Sequence, residues 1–227
     1  MLKYLIFDLD NTLYSCNFGL EENVERRLME FSGALLGVSP EEAWEQRKAS
    51  KRGTCLEWLM ADKGFKDVEA YFAAAHPGEE ADSLKRDDEL REMLACITLP
   101  KVILTNSPRE HADRILDKLG IADLFAHIFD IRQFNFVGKP HKEVYEKVIN
   151  TLGITIKEAL FIDDVPTHVE GFQKLGGKAI LLDEKDQHKK SDAHKIRRLN
   201  EIFRYIGRGA NYDPSQAAQA QPQGRRS

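Results

Sequence analysis

Three short apolar runs, each ending in polar or acidic residues and each followed by a helical pattern, constrain this chain more than any other feature. Lys3 to Leu9 is one such run, and carboxylates stand at its end as Asp8 and Asp10. Lys101 to Thr105 reads KVILT and leads into Asn106 and Ser107, while Ala159 to Ile162 reads ALFI and leads into Asp163 and Asp164. Unbroken apolar runs of this length predict strands buried on both faces, the situation in a parallel sheet covered by helices. The following segments agree. Arg109 to Leu119 carries Ala112, Ile115, Leu116 and Leu119 at helical spacing before Gly120, and Lys142 to Leu152 is a second helix closed by Gly153. Further strands are expected at Ile128 to Ile131 and at Ala179 to Leu182. The alternation predicts an α/β fold with an open parallel sheet.

Between Asn17 and about Leu94 the strand signal gives way to amphipathic helical stretches, one of them starting at Ser39-Pro40-Glu41-Glu42. The expected organisation is therefore an α/β core from 1–16 and 95–206, a helical insert at 17–94, and a tail at 207–227 whose Gly, Ala, Gln, Pro and Ser content reads as disordered. Open parallel sheets bind ligands beyond the carboxyl ends of their strands, so an insert leaving after the first strand would roof the site. With 42% hydrophobic and 31% charged residues, the composition is that of a soluble globular protein. No apolar run approaches the roughly 20 residues of a membrane span. The opening residues lack a small-residue cleavage site, so the expected location is the cytoplasm, with no membrane partner. Cys16, Cys55 and Cys96 lack metal-type spacing and read as free thiols. A net charge of -4 gives no general attraction to nucleic acid, and the basic cluster Lys189, Lys190, Lys195, Arg197 and Arg198 reads as a solvated helix face.

The chemistry gathers at the strand ends. Alternation within the first run puts Asp8 and Asp10 on one side, where they could share a hard cation with Asp163 or Asp164. An all-oxygen donor set favours magnesium over zinc. Without a cation such carboxylates would repel one another, and Lys139, between Gly138 and Pro140, could add positive charge. Taken singly, each residue has a plainer explanation as a cap, a turn residue or a solvated lysine.

Taken together and in this order, the segments resemble the haloacid dehalogenase-like hydrolases up to about Ile206. FDLDNTLY at 7–14 resembles the first motif of that family, which implies Asp8 as nucleophile and Asp10 as general acid and base. ILTNS at 103–107 resembles the second and implies that Thr105 and Asn106 hold a phosphoryl oxygen. GKP at 138–140 resembles the third, making Lys139 the residue that steadies nucleophile and phosphate. FIDDVPTH at 161–168 resembles the fourth and implies Asp163 and Asp164 near Mg2+, so that the metal set becomes Asp8, Asp10, Asp163 and Asp164. The departure is His168, where relatives carry Asn or Asp, and it is not taken as a ligand. Within the superfamily, DLDNTLY together with GKPHKEVYEKV is most similar to the pyrimidine 5'-nucleotidase-like branch. The resemblance implies a Rossmann-like core with a small helical cap, and a magnesium-dependent phosphate monoester hydrolase working through an aspartyl-phosphate. Its substrate would be a small phosphorylated metabolite such as a nucleoside monophosphate. Lys51 and Arg52 align with the substrate-facing cap loop, a solvated cap helix being the equal alternative there. The rivals are a sugar-phosphate or phosphoglycolate phosphatase, a phosphomutase, a dehalogenase that needs neither Asp10 nor the Asp163-Asp164 pair, and a non-catalytic binding protein.

Overall fold

The computed structural model describes residues 1–206, so the tail expected to be disordered lies outside the described residues. Among the described residues, six parallel strands form one sheet: β1 (Tyr4–Phe7), β2 (Lys101–Leu104), β3 (His127–Phe129), β4 (Ala159–Asp163), β5 (Lys178–Leu182) and β6 (His194–Ile196), in the order β3-β2-β1-β4-β5-β6. The chain builds outward from β1 through β2 to β3, then returns to the other side of β1 for β4. That reversal opens the crevice in which α/β sheets bind ligands.

The register shows why both faces of β1 had to be apolar. Leu5 and Phe7 enter a cluster with Ile103, Ile115, Leu116 and Ile162, whereas Ile6 enters the opposite one with Val102, Phe161, Val148 and Phe172. The helices α6 (Arg109–Leu119), α7 (Lys142–Leu152) and α8 (Pro166–Lys174) supply those faces. Phe7 and Phe161 are fully buried, and truncating either to Ala would cost about 3–5 kcal/mol. Helices α6 and α7 end where the glycines indicated, with Gly120 and Gly153 in the left-handed region at φ 72° and 65°. The expected strand at Ile128 to Ile131 is shorter and earlier. It stops at Phe129, because the Asp130 side chain accepts the Arg132 N–H and starts a 3-10 turn at Ile131–Phe134.

Between β1 and β2 lie α1 (Leu20–Leu36), α2 (Pro40–Ala49), α3 (Cys55–Lys63), α4 (Val68–Ala75) and α5 (Asp88–Ala95). Ser39 starts α2 by accepting the Glu42 N–H at 3.1 Å, as its sequence context indicated. Leu28, Leu56, Trp58, Leu59, Tyr71 and Phe72 make a separate apolar cluster, while Leu90, Met93 and Leu94 of α5 join the sheet's own cluster. The basic cluster at 189–198 is not a helix face. Its centre is the edge strand β6, where Ile196 is buried, Lys195 donates to the His188 carbonyl and Arg197 pairs with Asp186. With Ile196 buried and Ala193 partly buried against the core, the segment has no helical stripe to bury, and it adds instead to the open edge of β5. The cysteines are free, as expected. Among the described residues no helix is long and apolar enough to cross a membrane.

Candidate active site

Asp8 follows β1, its N–H continuing the ladder to the Ile162 carbonyl at 2.8 Å. Thr105 follows β2, and Asp163 is the last residue of β4. Lys139 arrives on the loop before α7 with its side chain 1% exposed. Its Nζ donates to Asp8 Oδ1 and to Asp163 Oδ2, each at 2.7 Å. Burial would lower the lysine pKa, but Asp163 and Asp8 outweigh it and hold the ammonium charged well above its ordinary range. Asp163 also accepts the Val165 N–H at 2.8 Å and lies 3.1 Å from His168 Nδ1. Burial would raise Asp163, yet Lys139 and His168 bring it down to about 2.

The remaining carboxylates of this group are worse off. Burial, then the charge of Asp163, pushes Asp8 well above the usual carboxylate range despite Lys139. Asp164, which lines the cavity, is pushed up to about 8, again by burial and then by Asp163. Three carboxylates thus converge on one lysine and one histidine, with negative charge in excess. That excess, on hard oxygen donors, fits a divalent cation of the magnesium kind. Asp8, Asp163 and His168 present ligand atoms within 4.8 Å of one another, so this acidic cluster could hold a metal. Both Asp163 oxygens are engaged, Oδ2 by Lys139 and Oδ1 by the Val165 N–H, whereas Lys139 engages Asp8 through Oδ1.

Asp10 stands apart from that group. The Tyr14 hydroxyl donates to its Oδ1 at 2.6 Å, the Ser107 hydroxyl to its Oδ2 at 2.9 Å, and His111 Nε2 lies 2.7 Å from Oδ1. The other nitrogen of His111 is 2.7 Å from Glu80, which also meets His76 at 2.9 Å and Arg114 at 2.6 Å. Burial opposes charge here too, but the imidazole and the Tyr14 hydroxyl hold Asp10 well below its ordinary pKa. Asp10 and Glu80 in turn raise His111 to about 10 against the cost of burial. His111, Glu80, His76, Tyr14 and Ser107 were all missed from sequence. His111 did leave a signal, because it stands four residues before Ile115 on the buried face of α6, where a polar side chain needs a partner.

The second-motif residues divide their labour. Thr105 lines the cavity, and its Oγ1 accepts the Ser107 N–H at 3.0 Å. The Asn106 side chain is occupied: Oδ1 accepts the Lys139 N–H at 2.7 Å and Nδ2 donates to the Lys139 carbonyl at 3.1 Å. This clamp requires glycine at 138, where a Cβ would lie 2.6 Å from Asn106 Oδ1 and 2.8 Å from Thr54 Cγ2. A cavity of about 860 Å³ extends from this floor, with Trp44, Tyr71, Lys51 and Arg52 on its helical side. The Arg52 guanidinium is 2.6 Å from Asp62, and Lys51 holds a left-handed φ of 58°.

Comparison with known proteins agrees with this architecture. A family model for haloacid dehalogenase-like hydrolases matches residues 2–176. Phosphate metabolism protein 8 of Saccharomyces cerevisiae is 30% identical over 203 residues, which cover 82% of this chain and 63% of the yeast protein, so the chain spans less than two thirds of that relative. Phosphoglycolate phosphatase of Pectobacterium atrosepticum is 26% identical over 187 residues, 79% of each chain. Among solved structures, L-2-haloacid dehalogenase from Xanthobacter autotrophicus superposes with a TM-score of 0.59 at 17% identity, covering 91% of this chain and all of that one; at that identity the likeness speaks to the fold. With the family model spanning most of the chain and its sheet, the protein belongs to the haloacid dehalogenase-like hydrolases.

Proposed function

We propose that this protein is a magnesium-dependent phosphate monoester hydrolase that works through a phosphoryl group carried on Asp8. The observation that carries the reading is the separation of two carboxylates, one held by Lys139 at the floor of the cavity and one held by its own donors beside it. An Asp nucleophile splits one difficult transfer into two. In the first, an Asp8 oxygen bonds to phosphorus as the ester P–O bond breaks, and Asp10 gives its proton to the leaving oxygen. In the second, water gives a proton to Asp10 as it attacks phosphorus, the bond to Asp8 breaks, and inorganic phosphate leaves with Asp8 restored. The resting Asp10 is ionised, the state the second step needs; a phosphate dianion entering beside it raises its proton affinity for the first. Lys139, the Thr105 hydroxyl and the Asn106 backbone N–H would stabilise the transferring group.

Asp8 and Asp164 would hold the magnesium ion, which when bound supplies positive charge to the phosphoryl oxygens. Asp163 supports the set through Lys139 and His168. Relatives named as phosphatases support the reaction class. A dehalogenase has no use for the elaborate hold on Asp10. We assign α1 to α4 of the segment 17–94 the role of a helical cap, α5 packing with the core, with Lys51 and Arg52 facing the leaving group, and pyrimidine 5'-nucleotides as the substrate class in the cytoplasm. Aromatic Trp44 and Tyr71, lining the same cavity as those cations, suit a base and its sugar phosphate. Phosphate release from UMP, CMP, AMP, sugar phosphates and phosphoglycolate, with magnesium or with EDTA, tests the reading. Magnesium-dependent release favouring UMP and CMP upholds it, preference for another ester moves the substrate, and inactivity on all of them removes it.

A further inference from the structure

Glu80 sits on the turn between α4 and α5, 2% exposed, and gathers nitrogen donors from three directions. Arg114 Nη2 of α6 is 2.6 Å away, His76 Nδ1 at the end of α4 is 2.9 Å away, and Arg27 of α1 lies at 3.9 Å. Its Oε1 is also 2.7 Å from His111 Nδ1, while His111 Nε2 is 2.7 Å from Asp10. The imidazole therefore spans two carboxylates, 1% exposed, and its ring cannot turn without losing both bonds. Asp10 is 26% exposed to the cavity, and of its three side-chain donors His111 is the one whose own orientation is set by a second buried carboxylate; a proton donor must sit within hydrogen-bond reach of its target to be of use.

We propose that His111, locked by Glu80, is a positioning residue that fixes the Asp10 carboxylate for proton transfer to the leaving group. The proposal rests on the reading of Asp10 as proton donor and acceptor. It also gives the helical segment before β2 a part in the reaction, because Glu80 ties Arg27 of α1 and His76 of α4 to the same chain of bonds. His76, Glu80 and His111 could alternatively be taken for a metal site, their ligand atoms lying within 4.8 Å of one another. The geometry speaks against that. Each nitrogen of His111 faces a carboxylate oxygen, which leaves no lone pair for a metal, and Arg114 already occupies Glu80 Oε1.

Two amide variants separate positioning from simple packing. In His111→Gln the amide nitrogen can reach the place of Nε2 and keep the donor to Asp10; in His111→Asn it can reach only the place of Nδ1 and keeps the donor to Glu80. A group that matters through leaving-group protonation affects an alkyl phosphate, whose alkoxide needs the proton, far more than p-nitrophenyl phosphate, whose phenolate does not. We expect His111→Asn to lose about tenfold or more in kcat/KM on an alkyl monophosphate and less than about threefold on p-nitrophenyl phosphate, with His111→Gln between it and wild type. Glu80→Gln, which removes the charge that holds the ring and weakens that hold without touching Asp10, is expected to show the same ester selectivity and decides the matter if His111→Asn does not fold by thermal unfolding. Equal losses on both esters, or no loss, in the folded variants overturn the positioning role while leaving the hydrolase reading intact. If the wild-type protein releases phosphate from neither ester, the reading of Asp10 falls and this proposal falls with it.

Discussion

Asp8 and Asp10 are separated by one residue, Leu9, yet they live in opposite electrostatic surroundings. Around Asp8 the carboxylates of Asp163 and Asp164 outnumber the one lysine, so burial and repulsion drive Asp8 upward in pKa. Around Asp10 three side-chain donors and the charge of His111 more than offset burial and drive it downward. Desolvation opposes charge on both, so what distinguishes them is the company each keeps. A group short of positive charge is completed by something from outside the chain, whereas a group with its own donors is already set in orientation. A nucleophile that waits for a cation, and a proton carrier held ready, are what the two proposed in-line transfers would require.

The comparison can be broken most directly at the first group. Asp8→Asn keeps the shape and removes the proposed nucleophile, so phosphate release is expected to fall by about a thousandfold or more. A purified variant that keeps a substantial share of wild-type turnover, free of contaminating phosphatase, would end the assignment. Asp164→Asn is expected to act in two ways: magnesium no longer raises the melting temperature, and the metal-free protein becomes less sensitive to pH. The sign follows from the raised carboxyl. Its stabilising contribution is complete below the unfolded value of 3.8 and is lost as pH climbs through about 8. In EDTA the wild type should therefore lose about 1–3 kcal/mol across that window, and the variant much less. Urea unfolding at several pH values measures it, and parallel pH curves for the two proteins would count against the crowding of carboxylates.

The second group gives a smaller effect with a different window. His111 is raised from 6.5 to about 10, so its stabilisation is whole below about pH 6.5 and drains away as pH rises through about 10. Thermal unfolding in EDTA at pH 7 and pH 10 should thus show a larger drop for the wild type than for His111→Gln, by about 1–2 kcal/mol. Equal drops would mean that His111 gains nothing from its two carboxylates.

These two groups were not equally legible in the sequence. Asp8, Thr105, Lys139 and Asp163 lie at or just beyond strand ends or in a short Gly-Lys-Pro loop, so apolar runs and local motifs pointed to each. Helices α6 and α7 were legible to their last residue because a left-handed glycine marks both ends. The hold on Asp10 was not, since it joins residues 101 and 31 positions apart through a histidine whose partners leave no local pattern. Asn106 reads as a phosphate contact because it follows Thr105, but its amide is spent on the Lys139 backbone, a pairing across 33 residues that only the folded chain discloses. Strand β6 escaped for another reason: a short edge strand whose apolar contact to the sheet is Ile196 has too little periodicity to read.

The smallest expected effect lies at the mouth of the cavity, where the contrast between a group awaiting a ligand and a group already satisfied can be tested on a single cation. Arg52 lines the cavity yet is paired with Asp62 at 2.6 Å and lies 3.8 Å from Glu57, with its side chain 40% exposed. Exposed pairs of this kind contribute little to folding, because solvent screens the attraction and two long side chains must be held still. Arg52→Ala is therefore expected to leave the melting temperature unchanged. If the guanidinium leaves Asp62 to meet a nucleotide, KM for UMP should rise by about 3–10-fold with kcat retained, since contact with a remote part of the substrate is felt in ground state and transition state alike. An unchanged KM would make the Asp62 pair the whole role of Arg52 and would leave Lys51, next to it on the cavity wall, to carry the contact with the leaving group.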